Sequence, residues 1–86
     1  MNINELIAIV KNKLEKEIVI QDLKIEDKSF LHTKHKGHQE GKFHLKLRIK
    51  SDELIKLNKI ESTKKIYSII DLELKEYIHS IQILLN

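Results

Sequence analysis

Histidine is the residue type with the most chemistry to offer in this 86-residue chain, which has five histidines and no cysteine. Three of them, His32, His35 and His38, are spaced three residues apart. Imidazole binds zinc, nickel, copper and iron, whereas cluster or thiolate chemistry would need sulfur from another molecule. The cluster of histidines therefore predicts part of a site shared with another molecule, a solvated polar loop, or a segment that binds zinc or nickel opportunistically.

Two further histidines lie on predicted strands. His44 belongs to the solvent-facing residues of an alternating segment, and we interpret it as structural. His79 lies at the start of the last apolar segment. Its residue type alone permits two interpretations. Either the ring is packed with one nitrogen hydrogen-bonded to a backbone carbonyl, or the ring is a metal ligand.

Catalytic motifs are missing from the sequence. It has no cysteine nucleophile, no Gly-x-Ser-x-Gly elbow and no Gly-x-x-x-x-Gly-Lys-Ser phosphate loop. The adjacent acids Asp52 and Glu53 follow Ser51, a pattern typical of a helix start. We therefore expect a protein that is not an enzyme.

Positive charge is concentrated in the middle of the chain. Residues 28–65 hold eleven basic and four acidic residues, net +7, and the remainder holds five and nine, net −4. Such a patch suits an acidic protein, a phosphate-bearing ligand or nucleic acid. Fifteen of the sixteen basic residues are lysine, which favours a solubilising surface because bidentate phosphate and guanine contacts favour arginine. The candidate contact residues are Lys46, Arg48, Lys64 and Lys65.

Hydrophobic periodicity indicates which elements carry these residues. Apolar residues at helical spacing predict a first helix over residues 3–14, with Asn2 and Glu5 as its capping pair. Alternation predicts a strand over residues 18–26 and a second, Phe43 to Lys50, separated by a polar loop over residues 27–42. Ser51 begins a short helix, and a longer helix covers residues 60–74. Residues 78–85 predict a last strand in which His79, Ile81 and Ile83 share one face.

The order of these elements, α-β-β-α-α-β, predicts an α+β fold with a three-stranded mixed sheet and helices packed on one face. We expect one domain over residues 1–86. No apolar run is long enough to cross a bilayer and the first residues lack the features of a secretory signal, so we expect a cytoplasmic protein.

The spacing of several segments resembles the BolA family. These segments are Asp27-Lys28-Ser29, His32, His35, Gly41-Lys42-Phe43-His44-Leu45, Ser51, Ile66-Tyr67 and Ile78-His79-Ser80-Ile81. The resemblance covers nearly the whole chain. It implies a fold similar to the type II KH arrangement, in agreement with the predicted order of elements.

The resemblance also implies a function. BolA-like proteins are adaptors that pair with monothiol glutaredoxins and share a two-iron, two-sulfur cluster in iron-sulfur handling or iron regulation. The glutaredoxin and its glutathione would supply the thiolates. His79 would be the principal imidazole ligand, with His32 as the second ligand and His35 as its alternative. We expect no cofactor in the isolated chain, which would be a monomer, with a homodimer as the alternative.

One departure from the family pattern concerns nucleic acid. Many members have Arg-His-Arg where this chain has Ser62-Thr63-Lys64, on a surface assigned to DNA contact in the family. A DNA-binding transcriptional regulator that uses the KH-like basic face is the alternative function.

Overall fold

The computed structural model describes residues 1–29 and 42–86. Their helices and strands follow one another as α1 (Ile3–Glu17), β1 (Asp22–Asp27), β2 (Phe43–Lys50), α2 (Asp52–Ile55), α3 (Lys59–Ile69), α4 (Asp71–Glu76) and β3 (Ile78–Leu85). The strands form one sheet in the order β1-β2-β3, with β1 and β2 antiparallel and β2 and β3 parallel. The predicted α+β fold with a mixed sheet is confirmed.

The core lies between the helices and one face of the sheet. Alternate residues of the central strand, Leu45, Leu47 and Ile49, are buried there. They pack with buried residues of the helices, among them Leu6, Val10, Leu14, Leu54, Ile66 and Ile70. The opposite face of the sheet, called the outer face below, carries Lys46, Arg48 and Lys50 on β2. None of the helices in the described ranges is both long and apolar enough to cross a bilayer.

The first helix begins as predicted and ends later than predicted. The Asn2 side chain accepts a hydrogen bond from the Glu5 N–H at 2.8 Å, and its amide donates to the Glu5 carboxylate at 2.8 Å. The helix continues to Glu17, and Ile18 serves as its C-cap with its side chain buried in the core. Burial of Ile18 at the helix end explains why the first strand begins at Asp22 and not at residue 18.

The predicted long helix over residues 60–74 is interrupted at Ile70. This residue has φ −107° and ψ 27° and separates α3 from α4. Two adjacent β-branched residues, Ile69 and Ile70, have low helical propensity, and Asp71 is favourable in the first turn of a new helix. The bend brings Glu73 into the interior, where its side chain is 3% exposed.

A β-bulge changes the expected faces of β3. Phe43 pairs with Ile78, but the next residue of β2, His44, pairs with Ser80, so His79 is an extra residue on β3. Consequently Ile78 and Ile81 both pack against the core, while His79 and Ser80 are both exposed. The prediction that His79 shares a face with Ile81 and Ile83 is wrong, because the extra residue interrupts the alternation of side chains between the two faces of the sheet.

Glu53 joins three segments of the chain. Its carboxylate accepts a hydrogen bond from the Val19 N–H at 3.2 Å and contacts the Lys65 ammonium at 2.6 Å. The hydrogen bond from Lys65, followed by that from Val19, holds the pKa of Glu53 below its usual value of 4.5.

This interaction predicts how the stability of the fold responds to acid. A carboxyl with a lowered pKa in the folded state stabilises above its unfolded pKa, and that contribution is lost as pH falls through the folded pKa. We expect the free energy of unfolding of Glu53→Gln to fall less than that of the wild type as pH drops below about 4.5. Urea unfolding at pH 7 and at steps below 4.5 measures it, with Glu76→Gln on the exposed surface as control. An acid dependence equal to that of the wild type would contradict the prediction.

Candidate ligand site at the histidine end of the sheet

The ends of all three strands are tied together at His44. Its N–H donates to the Ser29 hydroxyl at 3.0 Å, and its carbonyl accepts from the Lys28 N–H at 2.7 Å, just beyond β1. Its ring Nδ1 lies 2.6 Å from the Ser80 hydroxyl on β3. Ser29 is itself placed by Asp27, whose carboxylate accepts the Ser29 N–H at 2.9 Å. These bonds hold the backbone and the ring of His44 in one orientation.

His44 is buried although its position in β2 points it to the outer face. Only 5% of the residue is exposed. The bulge places both His79 and Ser80 beside it, and this explains burial at a position that alternation alone assigns to solvent. Its contacts agree with the structural role interpreted from the sequence.

His79 is exposed and rests against His44. The ring centroids are 4.9 Å apart and the ring planes are inclined by 34°. His79 is thus accessible to a partner molecule, with one side of its ring against a buried neighbour. Among the predicted metal ligands, it is the one that the described residues include.

The other two predicted ligands, His32 and His35, lie outside the described residues, as does His38. Residues 30–41 connect Ser29 to Lys42 along the chain, and both flanking segments reach the sheet end at His44. Within residues 1–29 and 42–86, no group of three or more histidine, aspartate or glutamate side chains is placed to hold a metal ion. A metal centre at His79 would therefore need further ligands from residues 30–41 or from another molecule.

A cavity of about 320 Å³ opens beside the His44 ring. It is lined by Lys28, which follows β1, and by residues near the starts of β2 and β3, namely His44, Leu45, Lys46, Ser80, Ile81 and Gln82. Two of its lining residues, His44 and Ser80, are the hydrogen-bonded pair beside His79.

The predicted basic contact residues lie on two sides of the molecule. Lys46 and Arg48 are on the outer face of the sheet, whereas Lys64 and Lys65 are on α3, which packs with Ile66 against the core side. The Arg48 Nε is 3.3 Å from a carboxylate oxygen of Glu26, and Lys65 is paired with Glu53. The structure does not bring the four residues into one patch, and two of them are engaged by acids.

Comparison with known proteins decides the family. The model of the BolA-like protein family matches residues 14–86. The chain belongs to the BolA-like family. This confirms the resemblance drawn from the segments around His44 and His79.

Two further comparisons place this BolA-like chain among its relatives. SufE-like protein 1, chloroplastic/mitochondrial, from Arabidopsis thaliana is 32% identical over an alignment of 79 positions that covers 86% of this chain and 21% of that protein. The chain thus spans about a fifth of the length of that relative. A cytoplasmic location for the present chain stays a prediction.

Solved structures show the same fold. The BolA domain of SufE1 from Arabidopsis thaliana superposes with a TM-score of 0.78 at 29% identity, covering 100% of this chain and 93% of that one. BolA1 from Arabidopsis thaliana also gives a TM-score of 0.78, at 24% identity, covering 93% and 88%.

Sequence reasoning missed the two serines that bond to His44 beside His79. Ser29 and Ser80 belong to the family pattern, which assigns no role to either. The available signal was the hydroxyl next to each strand end, since serine side chains commonly bond to nearby backbone groups. The bulge itself has no marker in the sequence of β3, which contains no glycine.

Proposed function

We propose that this BolA-like domain is an adaptor that binds a monothiol glutaredoxin and shares a two-iron, two-sulfur cluster with it, in iron-sulfur handling or iron regulation. The observation that carries the proposal is the exposed ring of His79 on a rigid strand end of a chain without cysteine. An imidazole in this position can complete a centre, but the chain has no thiolate with which to form one alone.

The donor set fits a shared centre. His79 offers one ring nitrogen, and the family pattern makes His32 the second ligand, with His35 as its alternative. The glutaredoxin and glutathione would contribute the thiolates. When bound, the cluster would supply redox chemistry and a transferable iron-sulfur unit, and imidazole in place of thiolate raises its potential.

The residues of this chain contribute position and access. His79 is exposed at one end of the sheet, and the 320 Å³ cavity beside His44 gives a partner a recess to occupy. Lys46 lines that recess, and its ammonium suits a partner surface with acidic groups.

The decisive experiment mixes the protein with a monothiol glutaredoxin, glutathione and a reconstituted cluster. The visible absorption and circular dichroism spectra should differ from those of the glutaredoxin alone. His79→Ala should weaken the mixed complex at least about tenfold, since even the loss of a group that only supports a ligand costs 10–100-fold in metal affinity.

The control is Asn12→Ala, an exposed residue of α1 that does not line the cavity. It should leave the spectrum of the mixed complex unchanged. A spectrum that stays the same in His79→Ala, or a protein that causes no spectral change at all, would refute the shared centre.

A further inference from the structure

The ring of His44 is buried and hydrogen-bonded, whereas the neighbouring ring of His79 is exposed. His44 is 5% exposed, its Nδ1 lies 2.6 Å from the Ser80 hydroxyl, and its backbone is bonded to Lys28 and Ser29 on the adjoining strand end. The geometry at Nδ1 is that of a short hydrogen bond whichever of the two atoms carries the proton. Rotation of this ring would break that bond.

The ring of His79 packs on this immobilised ring. The two centroids are 4.9 Å apart at an inclination of 34°, which is a close, tilted contact between the rings. An exposed histidine normally samples several rotamers, and a ligand that must be fixed on binding loses that freedom at a cost in affinity. A neighbouring ring that already restricts the rotamers of His79 removes part of this cost.

From these contacts we propose that His44 and Ser80 act as positioning residues for His79: Ser80 holds the His44 ring, and this ring holds the imidazole of His79 in a ligating orientation. The inference rests on the proposed function for the identity of the ligand. It adds two residues to the site that support a ligand of the cluster and do not bind the cluster themselves. Groups in this supporting position commonly orient a ligating histidine.

The bulge in β3 is part of the same arrangement. Without the extra residue, His79 and Ser80 would point to opposite faces of the sheet. With it, both lie on the side of His44. Ser80 is the hydrogen-bond partner of the His44 ring, and the His79 ring packs against it. A single irregularity of the backbone therefore supplies both contacts.

The test uses the protein without cluster and then the mixed complex with glutaredoxin. The mobility of the His79 ring is read from ¹³C relaxation of its ring C–H groups in the free protein. Ser80→Ala removes the hydroxyl, and Ser80→Thr retains it. His44→Phe keeps a planar ring and removes Nδ1.

Ser80→Ala and His44→Phe should both increase the mobility of the His79 ring and weaken the mixed complex by about 10-fold or more. Ser80→Thr should restore the wild-type values, and Asn12→Ala on α1 should change neither. Rescue by threonine separates positioning from a general loss of packing, because threonine changes the volume more than alanine does.

The outcomes distinguish this inference from the proposed function. Unchanged ring mobility in both Ser80→Ala and His44→Phe overturns the positioning role even when the wild type forms a His79-dependent complex. Increased mobility with threonine rescue supports it even when no mixed cluster forms, and in that case the proposed function alone fails.

Discussion

Replacement of Lys13 by methionine should lower the free energy of unfolding by about 3 kcal/mol, because it leaves the buried carboxylate of Glu73 without its cation. The Lys13 ammonium lies 2.7 Å from Glu73 Oε2, and the Glu73 side chain is 3% exposed. Its other oxygen, Oε1, has no hydrogen-bond partner among the described residues. The Lys13 side chain is 38% exposed, so the expected loss of stability lies at the lower end of the range for breaking a buried ion pair.

Thermal unfolding measures this effect most directly. For a domain of this size, 3 kcal/mol corresponds to roughly 12–24 °C in Tm.

Two matched variants separate the buried charge from other effects. Lys75→Met breaks the exposed pair with Asp71, 3.0 Å long with side chains 70% and 60% exposed, and should cost at most about 0.5 kcal/mol. The double variant Lys13→Met with Glu73→Met should return to within about 1 kcal/mol of the wild type, because well-packed apolar residues replace a buried pair at little cost. A double variant as unstable as Lys13→Met alone would contradict this explanation.

Ser51→Ala should lower the free energy of unfolding by about 2 kcal/mol, because one buried hydroxyl makes two hydrogen bonds. Its Oγ accepts from the Leu54 N–H at 3.2 Å in the first turn of α2 and donates to the Val19 carbonyl at 2.8 Å. The residue is 1% exposed, so water cannot readily replace the bond to Leu54. Urea unfolding at neutral pH measures the difference.

The chain provides an exposed cap for comparison. Asn58 caps α3 with one bond, from the Glu61 N–H at 2.8 Å, and it is exposed. Asn58→Ala should therefore cost about 1 kcal/mol, half the effect at Ser51. Equal losses for the two variants would show that the bond to Val19 contributes nothing.

Much of the fold was predictable because its signals are local. The capping residues Asn2 and Ser51 and the helical spacing of Leu6, Val10 and Leu14 act within one or two turns of chain. Alternation predicted the bounds of β2 and β3 as observed, since one face of each strand is apolar. The family pattern added His79 as a candidate ligand.

The arrangement of the site was not predictable from such signals. The interruption at Ile70 depends on where α3 and α4 pack, and the pair between Lys13 and Glu73 joins residues sixty positions apart. The bulge at His79 depends on how β3 pairs with β2, which no residue of β3 encodes alone.

The sequence by itself determined the order of helices and strands, the bounds of β2 and β3, the family and the lack of cysteine, because each of these follows from residue type and short-range periodicity. Only the tertiary structure decided that His79 and Ser80 meet His44, and that Glu73 is buried against Lys13. The physical reason is that pairing between strands and packing between helices select which side chains come together, and these contacts join residues far apart in the chain.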